Sequence, residues 1–262
     1  MADDRVRQIA DAVLYEGHML FPYRLSALKN RQRWTFGGVY PAAYARLTGD
    51  RSCVRFECLV EGTSPHLDLE VRFLQIVRRD DRDEAVERTA STGAVEHGSV
   101  RARVEARTDR LRDGLHRLSA SIENTSDWSG GDRDEAMRHA LASAHAVARV
   151  AGGSFLSPRE SAEGLRNEGL WPVLVGEPGD RSTILASPII LDDYPRVAPE
   201  SPGDFFDGGE IDQLLVLNIL GLTDAEKDEV RAGDPRAREL LERTESMTEE
   251  QLLRLHGTWR AP

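Results

Sequence analysis

The feature that most constrains this chain is strict two-residue alternation of apolar and polar side chains in four separate runs. In residues 52–61, Val54, Phe56, Cys58 and Val60 share one face, and Cys53, Arg55, Glu57 and Leu59 the other. Residues 67–77 alternate Leu67, Leu69, Val71 and Phe73 with Asp68, Glu70 and Arg72. Residues 100–107 set Val100, Ala102, Val104 and Ala106 against four charged residues, and residues 115–123 set Leu118, Ala120 and Ile122 against Ser119 and Ser121. A period of two predicts strands with one buried and one wet face, which pair antiparallel and pack as a sandwich or open barrel. Residues 78–93 are polar and charged and read as a loop.

Other segments read as helical. Val6, Ile9, Ala10, Val13 and Leu14 fall on one face of an N-terminal helix. Asp132 is a candidate cap for a long helix through about residue 151, with an inner stripe of Ala136, Ala140, Ala144, Val147 and Ala148 and a stop at Gly152 and Gly153. Residues 170–175 and 183–191 read as two more strands. Thr223 with Glu226, and Thr248 with Gln251, have capping-box spacing in a helical tail. The expected class is α+β: an antiparallel β-rich body, an N-terminal helix, one long packed Ala-rich helix and a helical C-terminal tail. The expected division is 1–222 for the body and 223–262 for the tail.

Charge is unevenly spread. The chain carries a net charge of -11, yet no Asp or Glu occurs from Gly17 through Gly49. Residues 14–41 hold cations and rings side by side, among them Tyr23, Arg24, Lys29, Arg31, Arg33, Trp34, Phe36 and Tyr40. These residue types dominate protein interface hot spots. A second stretch, residues 192–212, has seven carboxylates and one base, Arg196. The two are complementary in charge, so they are expected to meet, or each to meet a partner. The candidate partner-binding residues are Tyr23, Arg24, Lys29, Arg31, Arg33, Trp34, Asp204 and Asp207. Burial of Trp34, Phe36, Tyr40, Phe205 and Phe206 together is part of that expectation.

Two alternatives use the same stretches. Asp192, Asp193, Asp204 and Asp207 in a Pro/Gly-rich loop could serve a metal-dependent enzyme or metal carrier as hard oxygen ligands. Their spacing matches no EF-hand. The cations and rings of residues 23–34 have the types that bind single-stranded nucleic acid, but a net charge of -11 repels a polyanion. No HExxH, CxxC, Walker or GxSxG motif is present, and the seven histidines do not cluster. His139 and His145 are six apart, off the spacing a helical metal pair needs. No catalytic residue, metal ligand or cofactor is therefore nominated. Cys53 and Cys58 lie on opposite faces of one strand, which disfavours a disulfide. Without a signal-like start or an apolar run of membrane-spanning length, the expected compartment is the cytoplasm.

Two quoted stretches carry a family resemblance: YEGHMLFPYRLSALKNRQRWTFGGVYP (residues 15–41) and SPIILDDYPRVAPESPGDFFDGGEIDQLLVLNILGLTDAEK (residues 187–227). Together they resemble a bacterial family of unknown mechanism associated with operons for nickel–iron hydrogenases. The resemblance implies a non-enzymatic accessory or assembly role. It implies as partner a hydrogenase subunit or maturation factor, and it supplies no catalytic residues.

Overall fold

The computed structural model describes residues 2–16, 37–79, 82–161, 164–196, 223–232, 238, 241–242 and 244–246. The chain divides into two compact units, Met1–Leu14 with Phe36–Arg196, and Tyr15–Thr35 with Val197–Pro262. In chain order the elements are α1 (Ala2–Glu16), α2 (Ala42–Thr48), β1 (Cys53–Glu61), β2 (His66–Arg79), β3 (Arg82–Ala90), β4 (Gly93–His97), β5 (Val100–Arg112) and β6 (Leu115–Asn124). They continue with α3 (Arg133–Met137), β7 (Ala142–Ala151), β8 (Ser154–Phe155), β9 (Trp171–Leu174), β10 (Thr183–Ser187) and α4 (Asp224–Ala232).

The first unit is built from two five-stranded antiparallel sheets, ordered β4-β5-β6-β1-β8 and β3-β2-β7-β10-β9. One apolar core lies between them. Sheet one contributes Val54, Phe56, Cys58 and Val60 of β1 and Leu118, Ala120 and Ile122 of β6; sheet two contributes Leu69, Val71 and Phe73 of β2 and Ile184 of β10. These are the inward positions of the alternating runs, which is why the register is fixed: a one-residue slip would turn each set to water. Both cysteines are free thiols, Cys58 buried and Cys53 half-buried.

The outer face of sheet two is buried as well. Leu74, Ile76, Val147, Val173 and Leu185 are shielded although they lie outside the inter-sheet core. The amphipathic α1 is bound on this side through Arg72–Asp11 (2.5 Å) and a hydrogen bond from Ser143 Oγ to the Val13 carbonyl (2.9 Å). Its buried stripe is the predicted Val6, Ile9, Ala10, Val13 and Leu14.

The expected α+β class is corrected to a predominantly antiparallel β architecture. The long Ala-rich helix does not exist. Asp132 does accept a hydrogen bond from the Glu135 N–H (3.0 Å), but the helix it caps, α3, ends at Met137 after five residues. The rest of the stretch is β7, a central strand paired with β2 and β10. Ala144, Ala146, Ala148 and Val150 face the core. The alanines that mimic an i, i+4 helical stripe are equally an i, i+2 stripe, and two flanking strands decide for the latter.

The expected loop at 78–93 is also corrected, since it contains β3 and the start of β4. The edge strand β3 hydrogen-bonds β2 along Val71–Arg79. It carries no apolar stripe because it needs none, and its charges blunt an exposed edge. The expected helical tail is not found: among the described residues beyond 222, α4 is the one named helix, nine residues long.

Candidate functional site

The acid-free segment has a defined root. At its start, the Val13 carbonyl accepts from Ser143 Oγ (2.9 Å). At its end, the Gly37 carbonyl accepts from the Ala144 N–H (3.2 Å). The described chain on either side of residues 17–36 is thus hydrogen-bonded to two consecutive residues of β7, Ser143 and Ala144. Past the root, Val39 and Leu141 exchange two backbone hydrogen bonds of 2.9 and 3.0 Å, and the Tyr40 N–H donates to Arg51 (2.7 Å). Buried Asn124 donates to the Val39 carbonyl (2.8 Å) and the His139 carbonyl (2.7 Å), and its Oδ1 accepts from the Ser126 N–H (2.8 Å).

Two residues at the root have left-handed backbone. Gly37 has φ +61, and a Cβ there would sit 2.7 Å from Pro188 Cγ and 3.3 Å from Ser143 Cα. Only glycine meets both demands. Ser143 adopts φ 51 without that excuse, held by its Oγ bond to Val13. Pro188 is the second residue of the second family-like stretch, and Gly37 of the first lies beside it.

A polar cluster underlies the root. His145 is fully buried on β7, its Nδ1 3.0 Å from the Ser143 carbonyl. A carbonyl can only accept, so Nδ1 carries the proton and Nε2 is a buried acceptor without a hydrogen-bond partner. Burial pushes the imidazole down to about 4, the Arg72 guanidinium adds to the fall, and the Ser143 hydrogen bond and the Glu87 charge oppose it. Arg72, itself buried, pairs with Asp11 of α1 (2.5 Å) and Glu87 of β3 (3.6 Å). Ser143 Oγ is committed to a carbonyl, so the Ser143–His145 pair is not a nucleophile with its base. The cluster clamps α1 and the loop root to sheet two.

The nominated Tyr23, Arg24, Lys29, Arg31, Arg33, Trp34, Asp204 and Asp207 all lie outside the described residues, as do Phe36, Phe205 and Phe206. Tyr40 is described. It is buried against Tyr44 (ring centroids 5.3 Å apart) with Arg133 over its face at 5.6 Å, and burial pushes its hydroxyl up to about 12. Trp128 continues the cluster, 5.9 Å from Tyr44 and stacked on His139 at 5.2 Å. Tyr40 is thus an anchor for the segment.

Two of the four carboxylates of the metal alternative, Asp192 and Asp193, are described, and both are engaged by protein donors. Asp192 pairs with Arg159. Asp193 accepts from Ser157 Oγ (2.5 Å) and from the Leu174 N–H (2.8 Å), strapping the chain after β10 to β9. Tyr194, at φ 57, donates its N–H to the Leu174 carbonyl (2.7 Å). Among the described residues no three His, Cys, Asp or Glu side chains are placed to hold a metal ion, and no helix is long and apolar enough to cross a membrane. The roles of Ser143, His145 and Arg72 were not legible in sequence, because β7 carried a helical pattern and the root depends on backbone angles. No protein-family model matches the chain, and no curated protein is significantly similar to it.

Proposed function

We propose that this chain is a non-enzymatic accessory protein that docks a protein partner through its acid-free, cation- and ring-bearing segment, residues 17–36. The observation that carries the reading is the root: Val13 and Gly37, which flank the segment, are bound to Ser143 and Ala144 of one central strand. A loop with fixed ends loses less conformational entropy on binding than a free tail, and a rigid scaffold carrying a binding loop is a recurrent arrangement. The residue types fit an acidic protein surface. Arg24, Lys29, Arg31 and Arg33 supply the charge, with Tyr23 and Trp34 as candidate anchors. Asp204 and Asp207 belong to the complementary acidic stretch.

The family resemblance gives the partner class: a subunit or maturation factor of a nickel–iron hydrogenase, met in the cytoplasm. The test is binding of the purified chain to purified hydrogenase subunits and maturation factors at several salt concentrations. Arg31→Glu with Arg33→Glu should weaken binding at least about tenfold while leaving the unfolding midpoint unchanged, and wild-type affinity should fall as salt rises. Equal binding by wild type and the double variant, or no binding to any of these proteins, overturns the reading.

A further inference from the structure

We propose that the second half of β5 is a self-association edge, pairing antiparallel with β5 of a second copy about a two-fold axis through Thr108. This is independent of the loop's role. Strand β4 covers only the first part of β5, pairing Gly93–His97 with Val104–Val100, after which the chain turns away toward β3. From Glu105 to Arg112 every side chain is exposed except half-buried Asp109, and among the described residues no strand pairs with this edge.

The direction of the free backbone groups follows from the ladder. The Thr125 N–H donates to the Arg101 carbonyl, and the Asn124 N–H points away from β5 to Ser52. Odd-numbered residues of β5 therefore bond β6, and even-numbered ones face the edge. Val100, Ala102 and Val104 spend their groups on β4; Ala106, Thr108 and Arg110 have theirs turned to the open side. The pairing with β6 is regular as far as Arg110 and shifts between Arg110 and Arg112, which ends the usable run.

An antiparallel partner must place edge-facing residues opposite edge-facing residues. Centring the axis on an odd residue fails that test. Centring it on Ala106 sets Thr108 against Val104, whose groups are already bonded to β4. Centring it on Thr108 satisfies all three: Ala106 opposite Arg110, Thr108 opposite Thr108, Arg110 opposite Ala106. The intervening positions then bring Arg107 of each copy opposite Asp109 of the other, at the non-hydrogen-bonded sites where side chains approach most closely. Within one copy Asp109 Oδ2 already lies 3.3 Å from Arg107 Nε and 3.6 Å from the Arg117 guanidinium, so two copies form a six-charge cluster. The charged residues that would repel a casual strand thus select one partner, the same strand reversed. The product joins two five-stranded sheets into one.

Sedimentation velocity on the full chain over a wide concentration range tests this. A reversible monomer–dimer equilibrium is expected. Thr108→Pro removes an edge N–H without touching the β6 ladder, and Arg107→Asp opposes like charges. Each should raise the dimer dissociation constant at least about tenfold, and Arg107→Asp with Asp109→Arg should return it to within about threefold of wild type. Circular dichroism melts serve as the fold control. A monomer at every concentration, open-ended association, a dimer indifferent to Thr108→Pro and Arg107→Asp, or failure of the charge swap to rescue overturns the proposal.

Discussion

Replacing His145 by Asn tests the clamp beneath the loop root through its acid response. In the folded protein the imidazole is fully buried, beside Arg72, and held at about 4, against about 6.5 in an unfolded chain. The folded value is the lower one, so between the two the unfolded state binds the extra proton. This site therefore costs nothing above about pH 7.5, erodes stability as pH falls through the window, and has its full effect below pH 4. A gap of about 2.5 pH units corresponds to about 3 kcal/mol in all, with a steepest slope of about 1.2 kcal/mol per pH unit near pH 5. Asn can offer its amide to the Ser143 carbonyl where Nδ1 does, and it does not titrate. It leaves a small cavity, worth about 1–2 kcal/mol. Urea unfolding at fixed ionic strength should find the variant less stable than wild type at pH 7.5. The gap should close as the pH falls and reverse by about pH 4.5, where the wild type has lost about 2.5 kcal/mol through this group. Parallel stability curves between pH 7.5 and 4.5 would refute the idea of a neutral buried imidazole.

Three further substitutions probe the root and its surroundings. Gly37→Val should cost at least about 2 kcal/mol, from a left-handed β-branched residue and its collision with Pro188, and amide exchange at Ala144 should accelerate ahead of the rest of β7. Asn124→Leu removes three hydrogen bonds and strands the Ser126 N–H, while the Val39 and His139 carbonyls keep Leu141 and Ser126 Oγ as donors, so a loss of about 3 kcal/mol in urea unfolding is expected; a loss below about 1 kcal/mol would mean that water replaces the amide. Asp193→Ala removes the side-chain strap between the chain after β10 and β9, leaving only the Tyr194–Leu174 backbone bond, at about 2–3 kcal/mol, and hydrogen exchange should show reduced protection at Leu174, with β1 and β6 unaffected.

Legibility in the sequence tracked how many faces of each strand are buried. β1, β2 and β6 announce themselves because one face is wet: Phe56 and Cys58 point inward while Arg55 and Glu57 point to solvent or to partners on the surface. In β7 both faces are buried, so His145 and Val147 on one side and the alanines on the other leave no polar alternation to read. Ala136, Ala140, Ala144 and Ala148 then match a helical period. β3 failed for the opposite reason, having no apolar side at all. The uneven charge of residues 17–49 was plain from composition, but its anchorage was not. The anchors are a carbonyl at Val13, a carbonyl at Gly37 and a positive φ at Ser143, none of which has a residue-type signature.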